Sequence, residues 1–158
     1  VSTVAGDGKS GYQDGPPAQA RFYEPLGIAI DNNGVIFVAD TSNHRIRKID
    51  PQTGVTTVAG SVDKGHQDGA PLQARFSRPH SLVIDPQGNL WVVDTDNHCI
   101  RKIAPTGQVS TMAGHPTLGF YDGRPEDAHF HHPSGIAINA QGGLVIADTE
   151  NHILRLLQ

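Results

Sequence analysis

The motif Asp-Thr-x-Asn-His occurs three times in this chain: Asp-Thr-Ser-Asn-His at residues 40–44, Asp-Thr-Asp-Asn-His at 94–98 and Asp-Thr-Glu-Asn-His at 148–152. Each copy starts 54 residues after the one before, and a gapless alignment of residues 7–60 with 61–114 gives 27 identities in 54 positions. Self-similarity at a fixed period is the sequence signature of a repeat architecture. The sequence therefore predicts an array of three similar structural units.

Each period contains four short segments with the composition of β-strands. In the middle copy they lie at 82–84, 89–93, 99–103 and 109–112, and turns rich in Pro, Gly, Asp and Asn separate them. The second segment is nearly all apolar, as expected of a strand buried on both faces, whereas the fourth alternates between apolar and polar residues. No segment has a helical period of useful length.

The order of these segments is typical of a propeller blade. Polarity increases from the first segment to the last, and a long linker follows the fourth. An immunoglobulin-like sandwich would not repeat every 54 residues without gaps. We therefore expect an all-β fold, a β-propeller of four-stranded antiparallel blades with three blades per chain, in which the first strand of each blade lines the central channel.

The repeated motifs resemble the NHL repeat family of β-propellers. The matching features are the Pro-x-Gly-Ile-Ala-x-Asp segment at 25–31, the Asp-Thr-x-Asn-His motif, the Arg-Ile-Arg-Lys segment at 45–48 and the Asp-Gly…Ala-x-Phe linker at 14–22. The resemblance covers the whole chain and implies a six-bladed ring. It implies no single activity, because the family includes scaffolds, RNA-binding domains and a metal-dependent lyase, and function resides in sites rather than in folds.

The repeats are out of phase with the ends of the chain. The Val-Ser-Thr-Val-Ala-Gly segment at 1–6 matches the fourth segments at 55–60 and 109–114, whereas the last repeat stops after its third segment. The expected units are an outer strand at 1–6, blades at 7–60 and 61–114, and a third blade at 115–158 that lacks its outer strand.

Three blades cannot close a ring, and their open strand edges would promote aggregation. If two chains pair head to tail, residues 1–5 of each complete the third blade of the other, and a twofold axis relates the halves of a six-bladed homodimer. The residues expected at this interface are Val1, Thr3, Val4, Ala5, Ile153, Leu154, Leu156 and Leu157. The alternative is that the chain, which starts with Val rather than Met, is a processed product, an excised segment or an engineered half-propeller.

Composition limits the classes of partner. The chain has 12 basic and 16 acidic residues, with a net charge of −4 and an isoelectric point near 6.1, so it offers no overall electrostatic attraction for nucleic acid or anionic membranes. No stretch has the length of a membrane span, and no signal-peptide pattern is present. Cys99 is the only cysteine, so no intrachain disulfide forms, which is compatible with the cytoplasm but leaves the localisation unknown.

The repeated motifs themselves are interpreted as structural turns. Asp, Thr and Asn side chains bond to neighbouring backbone groups in turns, and three similar sets spread around a ring cannot converge on one substrate. The residues assigned to this role are Asp40, Asn43, His44, Asp94, Asn97, His98, Asp148, Asn151 and His152.

His80 is the candidate for a ligand site. It precedes the first strand of the second blade, at the expected channel mouth, where Leu26 and Ser134 are its equivalents. The segment Pro79-His80-Ser81-Leu82 resembles one that supplies a zinc-binding His in the amidating lyase of the family, so a divalent metal at His80 is a hypothesis. Because a single imidazole is a poor metal site, His131 and His132 are the candidates for further ligands.

No catalytic motif accompanies these residues. Cys99 has no assigned base, no Ser lies in a nucleophile elbow, and no helix follows the Gly-rich segments. The primary hypothesis is a non-catalytic scaffold or binding module that assembles with itself and binds an unidentified protein or small molecule. The alternatives are a metal-dependent lyase or hydrolase with His at the channel mouth, and an RNA-binding domain with a basic rim of solvent-exposed side chains. The rim residues would be Arg45, Arg47, Lys48, Arg101 and Lys102.

Overall fold

A computed structural model describes all residues from 1 to 158. It contains eleven β-strands and four short 3₁₀ turns. The first blade consists of β1 (Pro25–Ile30), β2 (Ile36–Asp40), β3 (Arg45–Asp50) and β4 (Gly54–Gly60). The second consists of β5 (Pro79–Ile84), β6 (Leu90–Asp94), β7 (Cys99–Ile103) and β8 (Val109–Gly114), and the third of β9 (Pro133–Ile138), β10 (Leu144–Asp148) and β11 (Ile153–Leu157).

Each blade is an antiparallel meander in which sequential strands are neighbours. The register repeats with the sequence period: Ile46 pairs with Ala59 between β3 and β4, and Ile100 pairs with Ala113 between β7 and β8. The first strands β1, β5 and β9 contact one another in succession, so the three blades form an arc around a common inner edge. The all-β, propeller-like arrangement predicted from the repeat is therefore confirmed.

The first strands approach each other closely. A Cβ at Gly27 on β1 would lie 2.6 Å from the carbonyl oxygen of His80 on β5, well inside van der Waals contact. Glycine is therefore required at this position, because only a residue without a side chain lets the two backbones pack at this distance.

The third blade has three strands, and the amino-terminal segment has none. Residues 1–5 have no strand partner in this chain, and residues 4 and 5 lie in a bend, so the outer strand expected at 1–6 is not formed by the isolated chain. Gly6 nevertheless makes the same hydrogen bond as its equivalents in the other repeats. Its backbone N–H donates to the carbonyl oxygen of Pro17 at 2.8 Å, as Gly60 donates to that of Pro71 and Gly114 to that of Pro125. The segment therefore leaves the first blade where an outer strand of a preceding blade would end.

The four 3₁₀ turns, at Pro17–Gln19, Thr41–Asn43, Thr95–Asn97 and Thr149–Asn151, are the only helical segments. No helix in the chain is long and apolar enough to cross a lipid bilayer. The strands carry the core, which consists of two apolar clusters, one at each junction between successive blades.

Candidate functional site

The Asp-Thr-x-Asn-His motif forms the same corner in every blade. In the second blade Asp94 ends β6, Thr95–Asn97 make one 3₁₀ turn, and His98 has a left-handed backbone with φ of 53°. His44 and His152 have φ of 55° and 59°. This conformation is uncommon for a residue with a side chain, so the contacts around the corner must hold it.

The carboxylate of Asp94 is completely buried and centres a hydrogen-bond network. Its Oδ1 accepts from the backbone N–H of Ser77 at 2.7 Å, and its Oδ2 accepts from Asn97 at 2.8 Å and from Arg101 Nη1 at 2.7 Å. These contacts join the start of the first strand, the corner and the third strand of the blade. The equivalent networks surround Asp40 and Asp148.

Arg101 connects this network to the linker that enters the blade. Its guanidinium donates to two linker carbonyls and to Asp68 Oδ1 at 2.7 Å, and it lies 5.0 Å from the centre of the Phe76 ring. The aromatic face and the bonds of both terminal nitrogens compensate for the burial of this cation, whereas its Nε has no hydrogen-bond partner. The equivalent ion pairs are Arg47–Asp14 and Arg155–Asp122.

The expectation that Arg101 would reach solvent is wrong, because its side chain has no exposed area. Arg45 and Arg47 are buried as well, which leaves Lys48 and Lys102 as the partly exposed members of the expected basic rim. The predicted rim is not formed, because the guanidinium groups of Arg47 and Arg101 bind Asp carboxylates and linker carbonyls. Arg45 instead donates to the carbonyl of Asn43 and lies over the ring of Tyr12. Strands β3 and β7 therefore present no continuous basic surface to a nucleic acid.

Burial dominates the electrostatics of the corner. Loss of solvent raises the pKa of Asp94 to about 6, although Arg101 and the hydrogen-bond donors act in the opposite direction. Cys99 pairs with Asp94 between β6 and β7, and burial raises the pKa of its thiol well above the ordinary value. A buried, neutral thiol is not a nucleophile. Its position on β7 fits a passive role in the strand.

Two residues of the corner also bind the following blade. Thr95 Oγ1 donates to the carbonyl oxygen of Pro133 at 2.8 Å, and His98 Nδ1 accepts from the backbone N–H of His132 at 3.2 Å. An imidazole nitrogen accepts a hydrogen bond only when it is unprotonated. Burial, the largest cause, lowers the pKa of His98 and stabilises this neutral form. At the first junction Thr41 and His44 bind Pro79 and Arg78 in the same way.

The apolar contacts between blades use equivalent positions at both junctions. Ile46 of the first blade and Ile100 of the second are completely buried, each against the first strands and the linker Phe of the next blade. The first junction contains Ala39, Ile46, Ala59, Ala74, Phe76, Leu82, Leu90, Val92, Ile103 and Val109. The second contains Val93, Ile100, Ala113, Ala128, Phe130 and Ile146.

The same positions are open at the two ends of the arc. Leu154, the equivalent of Ile46 and Ile100, is 75% exposed, and Ile28, the equivalent of the buried Leu82, is 64% exposed. A cavity of 350 Å³ on the first blade is lined by Thr3, Val4, Ala5, Phe22, Pro25, Ile28, Ile36, Val38 and Ile49. Phe22, Ile28 and Val38 are the equivalents of Phe76, Leu82 and Val92 at the first junction, and Leu154 is the equivalent of Ile46, which lies in the same buried cluster.

Three donor groups converge beside the second junction. His131 and His132 directly precede β9, and Glu150 lies in the corner of the third blade. His131 Nε2 is 2.9 Å from Glu150 Oε2, and His132 Nδ1 is 3.3 Å from Glu150 Oε1. The ring of His98 packs edge-on against both imidazoles, with centroid distances of 6.1 and 4.5 Å.

His80 lies outside this group. It is half-buried at the start of β5, its Nε2 has no hydrogen-bond partner, and burial lowers its pKa. The donor atoms that lie within 4.8 Å of one another belong to His131, His132 and Glu150. The hypothesis that His80 holds a metal with help from His131 and His132 therefore stays a prediction, and the convergent group has Glu150 in place of His80.

Sequence reasoning missed the Arg partner of the corner and the role of Glu150. The Arg had a signal, because Arg47 and Arg101 recur at the 54-residue step together with the linker Asp residues. Glu150 had none, because it occupies the variable position of the motif, where the other copies have Ser42 and Asp96.

The family model for the NHL repeat matches residues 22–49, 76–103 and 130–155. Each match starts at the linker Phe and ends at, or within two residues of, the end of the third strand of one blade. Together the three matches cover more than half of the chain.

Two curated relatives and one solved structure illustrate the similarity. Protein SUPPRESSOR OF QUENCHING 1, chloroplastic, from Arabidopsis thaliana is 42% identical over 96 residues, which are 60% of this chain and 9% of that protein. NHL repeat-containing protein 2 from Gallus gallus is 32% identical over 186 residues, 99% of this chain and 25% of that protein. An auxiliary nutrient binding protein from Bacteroides thetaiotaomicron superposes with a TM-score of 0.76 at 28% identity, over 87% of this chain and 38% of that one. The chain thus spans less than half of each of these three proteins.

Replacing Arg101 with Met tests the corner network. The Arg101→Met variant leaves the buried carboxylate of Asp94 without its cation, and breaking a buried pair in this way costs about 3–5 kcal/mol. Arg124→Met is the matched control, because Arg124 makes its ion pairs with 80% of its side chain exposed and should contribute less than about 1 kcal/mol. Urea denaturation of both variants measures the difference. Equal losses would contradict a structural role for the buried pair.

The His98 contact predicts a pH dependence of stability. The folded pKa of His98 is lowered, so the unfolded chain binds more protons and the contribution of His98 is fully present above about pH 6.5 and lost as the pH falls through the folded pKa. The groups that face this imidazole are His131, His132, Asp96 and Glu150. The free energy of unfolding should therefore fall on acidification from pH 7.5.

The His98→Asn variant is the control for this pH dependence. Asn tolerates the left-handed backbone but does not titrate, so the fall in stability below pH 6.5 should be smaller than in the original chain. Asp94, whose pKa is raised, contributes in the opposite sense in both proteins and cancels in the comparison. Identical pH profiles for the two proteins would contradict the role assigned to the neutral imidazole.

Proposed function

We propose that this chain, which belongs to the NHL repeat family, is a non-catalytic β-propeller module that closes a six-bladed ring by pairing head to tail with a second copy of itself. The observation that carries the proposal is the exposure of junction residues at both ends of the arc. Leu154 at one end and Ile28 at the other are mostly exposed, whereas their equivalents inside the arc, Ile100 and Leu82, are buried.

The two exposed ends of the arc carry the two complementary sets of side chains that meet at each internal junction. At each internal junction, the third strand of one blade supplies an aliphatic residue, and the next blade supplies a linker Phe and the aliphatic residues of its first two strands. The carboxy-terminal end of the arc offers Leu154, and the amino-terminal end offers Phe22, Ile28 and Val38 around an open cavity. Burial of each large aliphatic side chain contributes about 1.5–3 kcal/mol, so several of them provide a strong drive for closure.

The register of the internal blades defines the strand exchange. Because Ile46 pairs with Ala59 and Ile100 with Ala113, the same register places Leu154 opposite Ala5 of the second copy. Likewise, the pairing of Ile103 with Val109 places Leu157 opposite Val1 of the second copy. Residues 1–5 would then form the missing fourth strand of the third blade and remove its open edge.

Polar groups match at the same junction. In the internal corners, Thr donates to the carbonyl of the first Pro of the next blade, and His accepts from the backbone N–H just before that Pro. Thr149 and the exposed His152 would meet Pro25 and the backbone N–H of Glu24 in the second copy. Glu24 has φ of 50°, close to the 49° of Arg78 and 43° of His132, so its N–H already has the required orientation.

Closure by a second copy and closure by further blades of a longer polypeptide use the same surfaces. The relatives are much longer than this chain, so a longer parent would bury Leu154 and Ile28 against its own blades. For the 158-residue chain by itself, the second copy is the partner that carries both complementary halves. The ring is therefore proposed as the assembly of this chain.

A binding role is favoured over catalysis. The single thiol is buried, and the equivalents of His80 in the other blades are Leu26 and Ser134, so the channel mouth lacks the repeated His that a metal-dependent lyase of this family would use. The similarity to a solved structure described as an auxiliary nutrient binding protein is in keeping with a binding module. The ligand would be a protein or small molecule at the channel mouth or rim.

A Leu154→Glu variant tests the ring. A carboxylate at the centre of the junction would have to be buried without a partner, so the variant should sediment as a monomer of 16.9 kDa while the original chain sediments at about twice that mass. Val62→Glu is the matched control, because Val62 is 74% exposed but lies in a linker outside the junction. This control should stay dimeric. An unchanged dimer in Leu154→Glu, or a monomeric original chain, would contradict the proposal.

A further inference from the structure

We propose that His131, His132 and Glu150 form a binding site for one divalent transition metal ion of the Zn²⁺ type, beside the junction of the second and third blades. The site goes beyond the proposed function and does not depend on it, because all three residues belong to one chain. It also differs from the channel-mouth hypothesis, since His80 is not among the converging groups.

The spacing of the donor atoms fits a small tetrahedral ion. The two imidazole nitrogens and the Glu150 carboxylate lie within 4.8 Å of one another, with 2.9 and 3.3 Å separating the carboxylate oxygens from the two rings. Metal–ligand bonds of about 2.0–2.2 Å place tetrahedral ligands about 3.4 Å apart. Small side-chain adjustments therefore bring all three donors to bonding distance.

One donor atom lacks a partner in the metal-free chain. His132 Nδ1 is buried and makes no hydrogen bond, although Glu150 Oε1 is 3.3 Å away in poor geometry. A buried polar atom without a partner costs about 1–3 kcal/mol, so its retention calls for an explanation. A metal ion between this nitrogen and the carboxylate would satisfy both groups.

The backbone around the ligands is already fixed. His131 donates its N–H to Asp148 Oδ1 at 2.8 Å, and His132 donates its N–H to His98 Nδ1 at 3.2 Å. Glu150 in turn donates its backbone N–H to the carbonyl of His131 at 3.0 Å. These bonds hold the backbone of all three residues in place, which reduces the ordering cost of binding.

A second carboxylate lies behind one ligand. Asp96 Oδ1 is 3.9 Å from His132 Nε2, the nitrogen that would not bind the metal. A carboxylate near the outer nitrogen of a metal-binding His orients the ring and makes it a better donor. At 3.9 Å this contact is longer than a hydrogen bond, and its shortening would let Asp96 position His132 rather than bind the ion.

Comparison of the three repeats shows that the fold does not depend on this group of side chains. The equivalents of His131, His132 and Glu150 are Tyr23, Glu24 and Ser42 in the first blade and Ser77, Arg78 and Asp96 in the second. Both blades form the same corner with those residues, so the fold does not need two imidazoles there. Two imidazoles and one carboxylate suit Zn²⁺ and similar transition ions rather than Ca²⁺ or Mg²⁺, which prefer oxygen ligands.

Titration of chelator-treated protein with Zn²⁺ by calorimetry tests the site, with Co²⁺ as a spectroscopic probe of four-coordinate geometry. One ion should bind per chain. His132→Ala and Glu150→Gln should each weaken binding by more than the ~10–100-fold typical of changes outside the ligand shell. His129→Ala, which removes a partly buried imidazole elsewhere in the same blade, is the matched control and should bind as the original chain does.

The outcomes of these titrations distinguish binding at this site from binding elsewhere in the chain, and they do not depend on whether the ring forms. Circular dichroism of each variant checks that it is folded, and Glu150→Gln preserves the size of the side chain. The assignment would be overturned if Zn²⁺ does not bind stoichiometrically, or if the folded His132→Ala and Glu150→Gln variants bind it unchanged. It would also be overturned if binding is lost only in His80→Ala. Binding should persist in the Leu154→Glu variant, so failure of the ring leaves the test of the metal site intact.

Discussion

The buried pair between the Asp that ends the second strand and the Arg of the third strand is the interaction on which the blade depends. Asp94 and Arg101 are both without exposed area, so neither charge has water to stabilise it. A buried ion pair is stabilised when its remaining lone pairs and protons are also bonded. The corner Asn, the linker Asp68 and several backbone groups supply these bonds, and Nε of Arg101 is the one guanidinium nitrogen without a partner.

This requirement extends from the blade to the next one. The linker that satisfies Arg101 also places Phe76 at the junction, and the corner fixed by Asp94 aims Thr95 and His98 at the following blade. In a repeat protein each unit contacts only its neighbours, so stability depends on intrinsic terms and on junction terms. An arc of three units has two internal junctions and two unmatched faces. The proposed ring would give every blade a neighbour on both sides, and it would bring the exposed Leu154 and Ile28 into the kind of contact that Ile100 and Leu82 already make.

Periodicity made the strands, the blade topology and the incomplete third sheet predictable, because a 54-residue step aligns every apolar segment with its equivalents. It did not reveal the burial of Arg101, because a strand of alternating side chains gives no information on whether a linker folds over its polar face. Arg beside Lys102 on a strand looks solvent-exposed until the linker Asp68 is placed against it. The His131, His132 and Glu150 group was predictable only in part, since the two His are adjacent in sequence whereas the Glu comes from a corner that the fold alone brings close.

The strand exchange between two copies is the central claim, and its register can be measured directly by disulfide formation. The pairing of Lys102 with Ser110 places Leu156 opposite Ser2 of the second copy, and directly opposed residues of antiparallel strands lie at a Cα separation that a disulfide can span. The buried thiol of Cys99 does not compete.

On oxidation, a Ser2→Cys, Leu156→Cys double variant should therefore give a covalent species of two chains on non-reducing electrophoresis, with no longer oligomers, because the ring closes. The pair Ser2→Cys, Leu154→Cys, displaced by two residues, should not cross-link. A ladder of oligomers, an uncrosslinked monomer, or equal yields from the two pairs would contradict the account.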